Sequence, residues 1–218
     1  MSVGNIYTGF GSTSPINPNP IEEAFSNALD NWAKSEKKNN PEALTVEAAD
    51  KIKRCWKCGQ PSLELSNLGL KTLPEVIEKL THLKELNLNY NKLELLPHSI
   101  KRLKNLEQLH LSHNSLSSLP KSIGKLSHLK WLYLDSNKLR SLPPSIEDLQ
   151  ALEGMVLSQN PLKSLPDSML SLSRKCVVSI CDLESAIETI QRFQEEAKGE
   201  GYNGPQFDFG TKTVLKKS

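Results

Sequence analysis

The chain has 218 residues, which suits one domain, or one elongated array with small caps, and leaves little room for two compact enzyme domains. Its formal charge is +2, with Lys and Arg scattered among Asp and Glu, so there is no basic stripe to neutralise a phosphate backbone and nucleic acid is not an expected partner. The start "MSVGNIYTGFGSTSPINPNP" lacks the basic and apolar regions of a cleaved signal, and no later run approaches the about 18 apolar residues a bilayer span needs. A soluble chain without membrane insertion is expected, and its four cysteines are expected as reduced thiols.

In chain order, residues 1–18 are rich in Gly, Ser, Thr, Asn and Pro and read as disordered. Residues 19–60 read as a helical hairpin. Its first helix, "IEEAFSNALDNWAKSEKK", puts Ile21, Ala24, Phe25, Ala28 and Trp32 on one face, with Asn19 as cap and Pro20 in the first turn. A second helix follows Thr45 as cap, with Val46, Ala49, Ile52 and Trp56 on its apolar side. It closes on "RCWKCG", whose Cys55 and Cys58 have the spacing of zinc sites and dithiol redox centres. Redox chemistry is disfavoured because this pair closes a helix before a strand, whereas the thioredoxin-type motif opens a helix after one. The expected role is a last helical turn covering the first repeat, with Gly59 as its terminator.

Residues 61–175 are periodic. Four frames of 23 residues align as "THLKELNLNYNKLELLPHSIKRL", "KNLEQLHLSHNSLSSLPKSIGKL", "SHLKWLYLDSNKLRSLPPSIEDL" and "QALEGMVLSQNPLKSLPDSMLSL", after a partial frame "SLELSNLGLKTLPEVIEKL". This is a leucine-rich repeat. The expected fold is therefore an α/β solenoid of short parallel strands with a helical hairpin cap at one end and a helical cap at the other. In each frame Leu86 and Leu88, or their equivalents, alternate as in a strand and point inward; one frame cannot bury its apolar face, so stability comes from stacking neighbours. Asn91, Asn114, Asn137 and Asn160 form a ladder of buried amides that satisfy the backbone where the chain leaves each strand. Each Leu-Pro pair, at Pro74, Pro97, Pro120, Pro143 and Pro166, starts an extended or turning return segment.

Across residues 176–209 the frame decays: Val178 and Ile180 keep the strand positions, but Leu183 stands where the ladder asparagine belongs. Asp182 is expected to cap a helix with Leu183, Ala186, Ile187, Ile190 and Phe193 on its inner face, followed by an irregular or extended "GYNGPQFDFG" and a mobile tail at 210–218. A four-cysteine zinc site would have to join Cys55 and Cys58 to Cys176 and Cys181 across roughly 24 Å of stacked strands, whereas zinc accepts sulfur at about 2.3 Å.

The outward strand positions form the expected binding surface on the concave side. They gather Glu85, Asn87, Tyr90, Gln108, His110, His113, Trp131, Tyr133 and Asp135 near the middle of the array. Such aromatics either serve as cross-strand pairs or mark an interface, and the exposed patch left by Trp131 and Tyr133 favours the interface. The His110 and His113 pair lacks an obvious third ligand, so no metal is expected. No phosphate-cradling glycine loop, nucleophile elbow or paired-His helix motif is present, and neither a cofactor nor a catalytic residue is assigned.

The run "NALDNWAKSEKKNNPEALTVEAADKIKRCWKCGQPSLELSNLGLKTLP", together with "CVVSI" and "YNGPQFDF", resembles the bacterial type III secreted leucine-rich-repeat effectors, the YopM and IpaH group, over residues 20–209. The resemblance implies a non-catalytic, monomeric module that is secreted into a host cell, reaches the host cytoplasm or nucleus, and binds a host protein. In IpaH-type members a ubiquitin ligase domain with a Cys-x-Asp nucleophile follows the "YNGPQFDF"-like segment. Here no cysteine has aspartate two positions on, "CDLES" replaces the group's usual Asn-Pro-Leu-Ser, and nine residues follow Phe209. The alternative is the recognition portion of such a ligase without its catalytic part. An intracellular Ras-type repeat scaffold ranks behind both, having no reason to carry the Trp32 to Cys55 hairpin.

Overall fold

The computed structural model describes residues 19–181, 191–193, 195 and 202–208. Two helices, α1 (Pro20–Asn39) and α2 (Thr45–Cys58), precede six strands, each three residues long and one repeat apart: β1 (Ser62–Glu64), β2 (Glu85–Asn87), β3 (Gln108–His110), β4 (Trp131–Tyr133), β5 (Gly154–Val156) and β6 (Val177–Ser179). A seventh, β7 (Gln206–Asp208), follows. All seven lie in one parallel sheet in chain order. Register advances by one frame per strand, so Leu63, Leu86, Leu109, Leu132, Met155 and Val178 stack in a single inward row.

Each inward leucine is fully or almost fully buried. The asparagine ladder supplies the polar half of this core. Asn114 Oδ1 accepts from Leu93 N at 2.9 Å, while its Nδ2 donates to the carbonyls of Leu88 and Leu111 at 2.9 and 3.0 Å. Asn91, Asn137 and Asn160 repeat the arrangement. Amides of this kind are needed because strands three residues long leave neighbouring backbone groups without a ladder partner, and an unpaired buried group costs about 1–3 kcal/mol.

The return segments are more regular than an extended chain. After each Leu-Pro comes a 3-10 helix, as at Glu75–Lys79 and His98–Arg102, with the proline as the extended residue just outside it. The amide of the third helical residue bonds back to the proline carbonyl, as Ile100 N does to Pro97 O at 3.1 Å, and turns an isoleucine or methionine inward.

At the N-terminal end, Asn19 caps α1 through a bond from Ile21 N, with Pro20 as the first helical residue. The buried face of α1 is Phe25, Leu29, Ala33 and Glu36, rotated from the expected one; Ile21 is exposed and Trp32 only half-buried. The reason is a carboxylate anchor that apolar periodicity cannot register. Glu36 accepts from Lys71 N and Thr72 Oγ1, both at 2.6 Å, and fixes the rotation of the helix on the first repeat. Thr45 is not the cap of α2, because it lies inside the first turn and its buried Oγ1 has no hydrogen-bond partner. Entry into α2 is set instead by backbone, with Leu44 N donating to Leu68 O at 2.9 Å. Val46 points to solvent, while Ala48, Ala49, Ile52 and Cys55 are buried. Gly59 ends α2 in the left-handed conformation at φ 61°, which an L side chain adopts only at a cost.

At the other end, the segment expected to be irregular or extended becomes β7 and continues the parallel ladder, with Val178 opposite Phe207. Phe193 is fully buried against Phe207, their rings 5.4 Å apart. The expected cap Asp182 and the inner-face residues Leu183, Ala186, Ile187 and Ile190 lie outside the described residues, as do the segments 1–18 and 210–218. Among the described residues no helix is long and apolar enough to cross a membrane.

Candidate protein-binding face

Strand alternation places four rows of side chains on the outward side of the sheet. The first runs Ser62, Glu85, Gln108, Trp131, Gly154, Val177 and the second Glu64, Asn87, His110, Tyr133, Val156, Ser179. A third row, Ser66, Asn89, Ser112, Asp135, Ser158 and Cys181, begins the loops, and a fourth follows it with Asn67, Tyr90, His113, Ser136 and Gln159. All nine residues expected at a partner surface fall in these rows, and seven of them form two ring-and-carboxylate groups.

In one group His110 stacks on Tyr133 with centroids 4.6 Å apart and planes 7° apart, and Trp131 lies beside Tyr133 at 6.3 Å. Glu85 Oε1 stands 3.7 Å from His110 Nε2, too far for a hydrogen bond, and that buried nitrogen has no partner. In the other, Tyr90 stacks on His113 at 4.4 Å and 8°, with Asp135 Oδ2 3.9 Å from His113 Nε2. Asp135 is held by Ser112 Oγ, and Ser112 N in turn donates to Asn89 Oδ1. Of the remaining two, Gln108 stands in the first row between Glu85 and Trp131, and Asn87 donates to Glu64 Oε2 and accepts from Asn89 N.

Two features of this face escape an apolar-pattern reading. Gly154 is the seat of Trp131: a Cβ on it would stand 2.3 Å from Trp131 Cζ3, so the indole occupies the space left by the missing side chain. The frame does carry the signal, a glycine at the outward position of the strand beside a tryptophan. The second feature is backbone. Asn67, Tyr90, His113, Ser136 and Gln159 all have φ between 55° and 57°, a region that favours glycine and asparagine. Tyr90 and His113 meet as a stack from two such positions, and Tyr90 remains 58% exposed.

Burial lowers the pKa of His110, against the opposing pull of Glu85 and Glu64, so its imidazole is neutral at pH 7. For Glu64, burial works against ionisation, but hydrogen bonds from Ser66 and Asn87 and the charge of Lys51 outweigh it and hold the carboxyl below the usual range. Just before the strands runs a self-compensating edge in which Glu107 bonds Lys130 at 2.7 Å and Lys84 at 3.3 Å. The two lysines hold Glu107 below its ordinary value, and Glu107 raises that of Lys130.

Two of the four cysteines, Cys55 and Cys176, are buried away from this face. Burial, with Cys58 nearby, pushes Cys55 up to about 11, and burial pushes Cys176 up to about 12, which makes both poor thiolates at neutral pH. The pairs sit at opposite ends of the sheet, Cys55 by β1 and Cys176 by β6. His82, a neighbour the sequence did not suggest, approaches Cys55 Sγ at 3.8 Å. Among the described residues no three His, Cys, Asp or Glu side chains gather in a metal-binding group.

The leucine rich repeat family pattern matches residues 62–116, 81–139 and 105–162. No curated protein sequence matches the chain. Among solved structures, a leucine-rich-repeat protein of Leptospira interrogans aligns with TM-score 0.55 and 32% identity over 70% of this chain, and YopM from Yersinia enterocolitica with TM-score 0.58 and 28% identity over 73%. The chain spans only 39% and 34% of those two proteins. The leucine-rich-repeat domain of a Shigella effector aligns over 87% of this chain and 98% of its own length, with TM-score 0.54 and 23% identity, a likeness of fold. Repeat pattern, sheet and neighbours agree on one fold, a leucine-rich-repeat solenoid resembling those that bacterial effectors carry.

Proposed function

We propose that this chain is a recognition module of a bacterial effector, delivered into a host cell, where it binds a host protein through the outward face of its sheet. The contact residues are Glu85, Asn87, Tyr90, Gln108, His110, His113, Trp131, Tyr133 and Asp135, and their role is contact, with no bond made or broken. The observation that carries this reading is the ring cluster. Trp131 is 38% exposed and Tyr90 58%, each braced by a parallel ring, so two large anchors are presented to solvent with little conformational freedom left to lose on binding. The kinship of fold with YopM supports the effector context. Replacing Trp131 and Tyr133 together with Ala is expected to abolish capture of a partner from host-cell lysate while the circular dichroism spectrum and thermal unfolding stay close to wild type. Undiminished capture by that folded variant would refute the assignment of the face.

A further inference from the structure

The sheet face carries a charge that the whole chain does not. Lys and Arg number 27 against 25 Asp and Glu, yet among the described residues none of the four outward rows contains a lysine or an arginine. Carboxylates stand there instead: Glu64, Glu85 and Asp135, with Asp208 extending the second row onto β7. The charge of Lys51 reaches Glu64 from α2, while Lys84 and Lys130, on the edge before the strands, are engaged by Glu107. The charge-bearing side chains that face Glu85 and Asp135 at 3.7 and 3.9 Å are the imidazoles His110 and His113, and burial disfavours the charged form of His110. Among the described residues the outward rows therefore hold carboxylates and aromatic rings and no lysine or arginine, on a chain whose overall charge is slightly positive.

We propose that the segment seated on this face is cationic and bears arginine, with guanidinium groups laid on the rings of Trp131 and Tyr90 and paired with Glu85 and Asp135. This rests on the reading of the face as a protein-binding surface. Arginine fits better than lysine because a planar guanidinium stacks on an aromatic ring and offers a fork of donors to a carboxylate at the same time, while an ammonium is a compact, strongly hydrated point charge. Polyanions and acidic segments meet like charge here and are rejected.

The test uses the full chain and three labelled decapeptides in which glycine alternates with arginine, lysine or glutamate, followed by fluorescence anisotropy. The arginine peptide is expected to bind, the lysine peptide more weakly and the glutamate peptide not at all, with affinity falling as salt rises. Glu85→Gln combined with Asp135→Asn is expected to weaken the arginine peptide about tenfold, which corresponds to about 1.4 kcal/mol for the two charge pairs together. Thermal unfolding of that variant should match wild type. Equal binding of the glutamate peptide, no binding of the arginine peptide, or arginine binding indifferent to the double variant would each overturn the proposal. Should the Trp131 and Tyr133 variant lose its host partner while the charge variant keeps it at full affinity, the face remains a binding surface and its partner is not cationic.

Discussion

Two adjacent rows of the solenoid, one residue apart, obey opposite rules. The inner row is Asn91, Asn114, Asn137 and Asn160, the same residue in each of the four full frames; the outer row in those frames is Tyr90, His113, Ser136 and Gln159, different in every turn although the backbone conformation is the same throughout. The inner row is uniform because a buried side chain must accept one amide and donate to two carbonyls at fixed positions, and a carboxamide does this. The outer row has one strict requirement, a left-handed backbone, which glycine or asparagine would meet most cheaply. The repeat imposes that backbone on Tyr90, His113, Ser136 and Gln159 alike, and leaves the side chain that each presents free to vary.

The comparison breaks most visibly on the inner row. Asn137→Ala is expected to lower unfolding free energy by about 3 kcal/mol, because it strands the amide of Leu116 and the carbonyls of Leu111 and Leu134 in the core. Urea denaturation measures this, and a loss below about 1 kcal/mol would show that water replaces the amide. On the outer row the sign reverses. Gln159→Gly should stabilise the chain by about 0.5–1 kcal/mol through relief of the left-handed backbone. Tyr90→Gly should gain less, since it also removes a ring stack worth about 0.5–1.5 kcal/mol. Because Gln159→Gly also removes the bond from Ser136 Oγ to Gln159 Oε1, equal gains would mean that the stack is worth no more than that exposed hydrogen bond.

A smaller effect is expected at Gly154. Gly154→Ala places a methyl group where the Trp131 ring lies, and a side chain on the surface can swing aside. Stability should change by less than about 1 kcal/mol, while the near-ultraviolet dichroism from Trp131 and the affinity for the partner both drop; an unchanged spectrum would show that the indole is not seated there. The smallest effect is that of pH. His110 has its folded pKa lowered below the unfolded value of 6.5, so the unfolded chain binds the proton more readily. Its destabilising contribution is absent above pH 6.5 and develops as pH falls through that value toward the lower folded pKa, saturating below it. Comparing wild type with His110→Gln across pH 5 to 8 should show a steeper decline for wild type at the acid end.

Much of this was legible beforehand. Frames of 23 residues revealed the strands, their parallel order, the inward leucines, the asparagine ladder and the outward rows, because burial in a repeat array is a matter of position within the frame. Gly59 was legible as a helix terminator for the same local reason. The ends were less so. A capping helix takes its rotation from a few specific contacts with its partner helix and the first repeat, and one of those of α1 is polar: Glu36 on Lys71 and Thr72, which an apolar template passes over. Thr45 looked like a cap by residue type, but the bond from Leu44 to Leu68 fixes the turn without it.

The sequence by itself determined the fold and the membership of the outward rows, since a repeating hydrophobic period leaves one way to bury its leucines. Tertiary structure alone decided how those rows are used. The pairing of Tyr90 with His113 and of His110 with Tyr133, the space Gly154 leaves for Trp131 and the seventh strand at Gln206–Asp208 all depend on residues a full repeat or more apart meeting across strands. Ring contacts act over a few ångströms and depend on orientation, and a linear chain specifies neither until the coils are stacked.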